Sequence, residues 1–177
     1  MGVFVMGKMK TVALALVFMA SLSFIFSGFL ISFMFDVDEV ERYVFLYINE
    51  ERVSRGLPAL GNDTQLCFVA KGWADSMVES GVLEHGDFEG RLRTIDYFGV
   101  YRCGEIIENY TASALAVVDV EMFYNPNSAV ARELVQGWLD SPPHREIMLT
   151  DMEGDMGVAV SLKGLGAFFG VVDFKFV

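Results

Sequence analysis

Two different hydrophobic patterns divide the chain. Between Thr11 and Phe35 most residues are apolar, none is charged, and no polar face recurs at helical spacing. From Asp36 onward the apolar positions recur as in amphipathic helices and, near the carboxyl end, alternate as in strands. The pattern predicts an apolar amino-terminal segment, residues 1–35, joined to a folded domain, residues 36–177.

The first two helices of the domain have recognisable ends. One is predicted over Val37–Ser54, and Gly56 ends it. The next begins at Asn62 and Gln65, which lie three residues apart as a cap and its partner do, and it ends at Gly81. The predicted buried faces contain Val40, Val44, Tyr47 and Ile48 in the first helix and Leu66, Ala70, Trp73 and Met77 in the second.

A third helix is predicted near the middle of the domain, over Ala129–Asp140. Ser128 is placed to cap its amino end, and Pro142 and Pro143 break the chain after it. A short turn of helix is expected to follow through Leu149.

Strands are predicted in the second half of the domain. Arg102–Asn109 is typical of a short strand, and residues 156–162 and 171–176 alternate between two faces. Gly164 and Gly166 link the last two runs, which favours an antiparallel hairpin. The order of elements predicts an α+β domain in which helices pack on a small antiparallel sheet.

The apolar segment is long enough to cross a membrane. Residues 11–35 would span about 37 Å as a helix with a rise of about 1.5 Å per residue. Lys8 and Lys10 precede this run, and acidic residues follow it from Asp36. Because basic flanks stay on the cytoplasmic side, we expect a single-pass anchor in the lipid bilayer with the carboxyl-terminal domain outside.

A cleaved signal peptide is the alternative for the same segment. Ser21-Leu22-Ser23 is an acceptable small-x-small cleavage site, but cleavage there would leave a long apolar terminus that begins at Phe24. We therefore favour the uncleaved anchor. The domain is expected to be exported in either case, as a membrane-anchored or a secreted protein.

Charge and cysteine content narrow the classes of function. Residues 36–177 carry all 24 acidic side chains and 11 of the 13 basic ones, a net charge of −13. Such a surface repels phosphate backbones, so we expect no nucleic-acid partner. Two cysteines rule out a disulfide-dense scaffold, although export makes a Cys67–Cys103 disulfide plausible; two buried free thiols are the alternative.

Any imidazole chemistry must use His85 and His144, the two histidines of the chain. Each is expected in a loop after a helix, where side chains can converge on a cleft, and Glu105 lies near the start of a predicted strand. Two imidazoles and a carboxylate can bind a divalent transition metal such as zinc, or carry out acid–base chemistry. The alternative is that the histidines are unrelated loop residues.

Five segments, taken in order, carry a resemblance to a known family. They are Tyr47–Arg52 with Gly56–Leu60, Trp73–Met77 with Leu83–His85, Cys103–Glu105, Val135–Arg145, and Asp155–Val160. Together they resemble the CAP superfamily, which includes cysteine-rich secretory proteins, venom antigens, plant pathogenesis-related proteins and SCP-domain proteins. The run that ends in His144 and Arg145 is similar to the signature of prokaryotic members.

The resemblance implies an α-β-α sandwich with a central cleft lined by His85, Glu105 and His144, where some relatives bind a divalent metal. The positions that depart from the family pattern are Ile106 for Asn, Pro143 for Gly and Ile147 for Asn. Ser141 stands where eukaryotic members often have a second glutamate, and Asp140 or Glu108 is the substitute to consider.

We expect a membrane-anchored binding or interaction module with a cleft for a small polar, lipidic or peptide ligand, and zinc as its candidate cofactor. The alternative is a metal-dependent hydrolase acting on peptides or cell-envelope polymers, with Glu108 activating water. A third hypothesis is a non-catalytic structural domain. Ser141 is a weaker candidate nucleophile, and Arg145 is expected to pair with an acid such as Glu105 or Glu133.

Overall fold

A four-stranded sheet lies between helices that cover both of its faces. The structure, a computed structural model, describes residues 34–112, 122, 124–164 and 166–177. Most of the predicted anchor or signal segment therefore lies outside the described residues. Within the described ranges, no helix is long and apolar enough to cross a bilayer.

The elements follow the order predicted for an α+β domain. They are α1 (Val37–Ser54), β1 (Gly61–Asn62), α2 (Thr64–Ser80), α3 (Phe88–Arg93), β2 (Arg102–Thr111), α4 (Pro126–Asp140), α5 (Pro142–Met148), β3 (Gly154–Lys163) and β4 (Ala167–Phe176). The predicted helices and the carboxyl-terminal hairpin are confirmed. β1 and α3 were not predicted, because two and six residues are too few to display a period.

Aspartates cap the first two long helices. Asp36 accepts hydrogen bonds from the backbone of the first turn of α1. Asp63 does the same for α2, where Asn62 was the predicted cap. A short side chain that ends in a carboxylate suits both positions, because it accepts from amides that have no partner inside the helix and its negative charge is stabilised by the positive end of the helix dipole.

The sheet has β4 near its centre, in the order β1-β3-β4-β2. β4 pairs antiparallel with β3 and with β2 along ten residues each. β1 adds a two-residue parallel pairing to β3. In this pairing, β2 and most of β3 are edge strands of the sheet.

Two hydrophobic clusters hold the layers together. One face of the sheet packs against α1 and α4, with Val44, Leu134, Trp138, Val172 and Phe174 among the buried residues. The other face packs against α2, with Ala70, Ala74, Met77, Ile107 and Val171. Helices on both faces make this an α-β-α sandwich, as the resemblance implied.

Glutamate side chains accept hydrogen bonds from backbone amides at both edges of the sheet. Glu41, on α1, accepts a hydrogen bond from the Val160 amide of β3 at 2.8 Å. Glu108 accepts one from the amide of its neighbour Asn109, on β2, at 2.9 Å. These amides would otherwise point away from the sheet with no strand to accept them.

The predicted disulfide between Cys67 and Cys103 is not formed, and both thiols are free in the described structure. Cys67 lies at the start of α2, whose backbone packs on β3 at Gly157, whereas Cys103 lies on β2. β4 separates β3 from β2, and two strand spacings amount to about 10 Å. A disulfide needs its Cα atoms within about 7 Å, so this arrangement does not favour the bond, and the disulfide that export made plausible is not confirmed.

Candidate functional site

His85, Glu105 and His144 come together beside the edge strand β2. His85 lies in the loop between α2 and α3, Glu105 is on β2, and His144 is in the first turn of α5. His85 Nδ1 is 2.8 Å from Glu105 Oε1, and the two imidazole ring centroids are 5.7 Å apart. Three side chains that are distant in sequence therefore share one place in the fold.

The hydrogen bond to Glu105 sets the tautomer of His85. A carboxylate can only accept, so His85 Nδ1 carries the proton and Nε2 is left for other partners. The His85 side chain is 49% exposed, whereas that of Glu105 is only 1% exposed. The site therefore presents a half-exposed imidazole that a buried acid holds in one orientation.

Arg91 is a fourth member of this group. One of its nitrogens pairs with Glu105 Oε2, and another donates to the backbone oxygen of His85 at 3.0 Å. Sequence reasoning missed Arg91, because α3 is too short to be predicted and nothing in the local pattern distinguishes this arginine from Arg93. The predicted partner Arg145 instead donates to the backbone oxygen of Leu139, at 2.9 Å.

Trp73 fixes the loop that carries His85. Its Nε1 donates to the backbone oxygen of Glu84 at 2.8 Å, and the Arg91 guanidinium carbon lies 4.3 Å from the centre of its ring. Gly86 adopts a left-handed conformation against the same ring, where a Cβ would overlap the indole. Trp73, interpreted from the sequence as a core residue, thus holds the candidate site.

His144 presents a different kind of imidazole. Its Nδ1 is buried and has no hydrogen-bond partner in the described structure. Burial first, and the neighbouring His85 second, lower the pKa of His144 below its usual value. At neutral pH His144 is therefore an uncharged ring.

We expect protonation of His144 to destabilise the folded domain in mildly acidic solution. A histidine whose pKa is lowered by folding binds its proton more readily in the unfolded chain, so protonation favours unfolding. The free energy of unfolding should fall as pH decreases through about 6.5. Chemical denaturation at pH 7.5 and pH 5.5 should show a smaller pH-dependent loss for His144→Gln than for the wild type. Equal losses in both proteins would contradict the assignment.

Asp173 is a buried acid next to Glu105. The two residues are directly paired across β4 and β2, and Asp173 is 0% exposed. Neither of its oxygens meets a donor among the described residues. Burial and the Glu105 charge raise the pKa of Asp173 well above its usual value. The neutral acid can itself donate to Glu105, which would satisfy the pair.

The other predicted site residues lie elsewhere. Glu108 falls on the opposite face of β2 from Glu105, against Gly137 of α4. Asp140 accepts a hydrogen bond from Gln136 at 2.8 Å. In the described structure Ser141 makes no hydrogen bond to the buried Nδ1 of His144. Neither the second acid nor the nucleophile considered from the sequence is therefore part of this group.

The arrangement does not fit a three-ligand metal site. Within the described ranges, no three His, Cys, Asp or Glu side chains are grouped as metal ligands. Both oxygens of Glu105 are already bonded, one to His85 and one to Arg91. Only the two imidazoles retain nitrogens that could approach an ion, and catalytic zinc sites usually have three protein ligands. The predicted zinc site stays a prediction.

Three solved structures from bacteria are similar to this domain. An outer surface protein of Borrelia burgdorferi has a TM-score of 0.61 at 22% identity, over 80% of this chain and 96% of its own. An extracellular SCP-domain protein of Bacillus anthracis has a TM-score of 0.60 at 24% identity, over 80% of this chain and 41% of its own. A cysteine-rich secretory protein of Staphylococcus aureus has a TM-score of 0.57 at 18% identity, over 80% and 40%. No curated protein sequence gives a match.

The family assignment comes from the sequence profile. The profile of CAP, the cysteine-rich secretory protein family, matches residues 45–174, which include His85, Glu105 and His144. This match covers most of the domain, and the α-β-α sandwich agrees with the bacterial structures. The chain belongs to the CAP family of cysteine-rich secretory proteins.

Proposed function

We propose that this domain is an extracytoplasmic binding module whose ligand contacts His85 and His144. The observation that supports it is the pairing of two imidazoles 5.7 Å apart, one half-exposed and held by a buried acid. Such a pair presents hydrogen-bonding nitrogens in a fixed arrangement to a small polar, lipidic or peptide ligand. The similar proteins described as outer-surface or extracellular, together with the apolar amino-terminal segment, support a location outside the cytoplasm.

A binding role is favoured over hydrolysis by the chemistry of the group. Ser141, the nucleophile considered from the sequence, is not hydrogen-bonded to His144 Nδ1 in the described structure, so this pair lacks the contact that would activate a serine through that atom. The acid that would activate water in a metal-dependent mechanism, Glu108, lies on the other face of β2.

The two histidines allow a direct test by nuclear magnetic resonance. The full-length protein in mild detergent should give two imidazole Cε1–H signals, which His85→Gln and His144→Gln assign. We expect one of three probes, a short peptide, a fatty acid or an N-acetylated sugar, to shift both signals with the same saturation curve. If none of the probes shifts either signal, or if a probe that binds shifts neither, the proposal is wrong.

A further inference from the structure

We infer that Arg91 is the resident cation of the group formed by His85, Glu105 and His144 and takes the place that a divalent metal would need at Glu105. This role of Arg91 concerns the same residues as the proposed function, but it does not depend on any ligand being bound there. It also explains how a chain of this family can keep both histidines and the acid without a three-ligand metal site.

Both oxygens of Glu105 already have a partner. Oε1 is bonded to His85 Nδ1 at 2.8 Å, and Oε2 is paired with the Arg91 guanidinium. The Glu105 side chain is 1% exposed, so an ion cannot reach it from solvent without moving one of these partners. An incoming metal would have to compete, at either oxygen, with a charge-assisted hydrogen bond inside the protein.

Arg91 is also held by contacts that do not involve Glu105. Its guanidinium lies over the Trp73 ring at 4.3 Å and near the Phe88 ring at 5.6 Å. Another of its nitrogens donates to the His85 backbone at 3.0 Å. An arginine cannot lose its proton in a protein, so this positive charge is permanent. Displacing it from Glu105 would leave a largely buried guanidinium without its counter-ion.

Few donors remain for a metal once Arg91 and His85 are paired with Glu105. They are the free nitrogens of His85 and His144 and the oxygens of Asp173, which is 0% exposed and whose neutral form is favoured by burial and by the Glu105 charge, since both raise its pKa. Two neutral imidazoles are one ligand short of a catalytic zinc site, and they add no negative charge to offset the ion. This group of side chains should therefore bind divalent ions weakly as long as Arg91 is present.

The test removes the arginine charge and measures metal binding directly. Co²⁺ is titrated into the full-length protein in mild detergent and followed by its visible absorption, and Zn²⁺ is measured by equilibrium dialysis. Arg91→Met keeps an apolar stem against Trp73 but no charge. The matched control is Arg93→Met on the same short helix, where the arginine is 61% exposed and pairs with Glu89 instead of Glu105. A double variant, Arg91→Met with Glu105→Gln, tests whether the freed acid is the new ligand.

We expect Arg91→Met to bind one Co²⁺ per chain at least tenfold more tightly than the wild type. The Arg93→Met and double variants should match the wild type. The inference is overturned if the wild type binds one equivalent as tightly as Arg91→Met, or if a folded Arg91→Met gains nothing. Near-ultraviolet circular dichroism establishes whether the variant is folded.

Glu105→Gln alone decides the question if Arg91→Met does not fold. If Arg91 is paired with Glu105 as we infer, Glu105→Gln leaves the weak metal affinity of the wild type unchanged. A tenfold or greater loss of affinity would instead show that Glu105 is a metal ligand and would overturn the inference. These outcomes are separate from the proposed function, because a probe can shift both histidines whether or not the cleft binds metal.

Discussion

Arg52→Met is expected to destabilise the domain by about 4 kcal/mol or more. Arg52 is fully buried in α1 and donates to four backbone carbonyls, those of Pro58, Met148, Thr150 and Met152, at 2.8–3.0 Å. Methionine fills part of the volume but donates to none of the four carbonyls, of which the Thr150 oxygen keeps the Met152 amide as a donor at 2.9 Å. Each buried group left unpaired costs about 1–3 kcal/mol, and a domain has only about 5–15 kcal/mol in total.

The contacts of Arg52 also explain why this loss should be felt at the site. Its acceptors lie in the loop after α1 and in the segment from the end of α5 to the start of β3. The same α5 carries His144. Urea unfolding of Arg52→Met followed by tryptophan fluorescence, together with the His144 imidazole signal, measures both effects.

Arg55→Met is the matched control for Arg52→Met. Arg55 follows α1 directly, is 49% exposed, and pairs with Glu51 at the surface. Exposed pairs of this kind contribute about 0.3–0.5 kcal/mol, so little stability should be lost. Similar losses in the two variants would mean that the buried network of Arg52 does not stabilise the fold.

Gly157→Ala is expected to cost about 3 kcal/mol and to disturb the candidate site from a distance. Gly157 lies on β3 where the first turn of α2 crosses the sheet, and a Cβ there would overlap the backbone of Leu66 and Cys67. Backbone cannot rotate away as a side chain can, so α2 must move off the sheet. Overpacking of a tight contact costs about 1–3 kcal/mol, and this contact lies at the upper end.

Movement of α2 should reach His85 through Trp73. The indole lies on α2 and holds the His85 loop by its bond to Glu84. We therefore expect Gly157→Ala to shift the His85 imidazole signal as well as to lower the urea midpoint. Gly72→Ala, on α2 itself, meets no atom within 4 Å and should stabilise the helix by about 0.5–1 kcal/mol without moving that signal. An unchanged midpoint for Gly157→Ala would refute the close packing.

The sequence predicted those elements that are long enough to show a period. The limits of α1 are the predicted ones, because Val40, Val44 and Ile48 repeat every fourth residue. The same repeat reaches Arg52, so an arginine at the next buried position was a readable signal that we did not use. A buried arginine needs several acceptors, and that requirement alone points to a structural role.

The candidate site was only partly predictable, for physical reasons. His85 and His144 follow from the scarcity of histidine, and Glu105 from the family resemblance. Arg91 joins them through a six-residue helix, and Asp173 through the register of β4 against β2. Neither a short helix nor a strand register leaves a local pattern in one sequence. Asp173 even fits a solvent-facing position of an alternating strand, but α2 covers that face.

The glutamates at the two sheet edges bear on how copies of this domain behave when crowded. A strand from a second molecule that approached β3 or β2 would have to expel Glu41 or Glu108 from the amide it occupies. Each displaced carboxylate would then face another acidic domain. Edge-to-edge association of sheets is therefore opposed both by the loss of these hydrogen bonds and by charge repulsion. Densely displayed molecules should therefore stay separate.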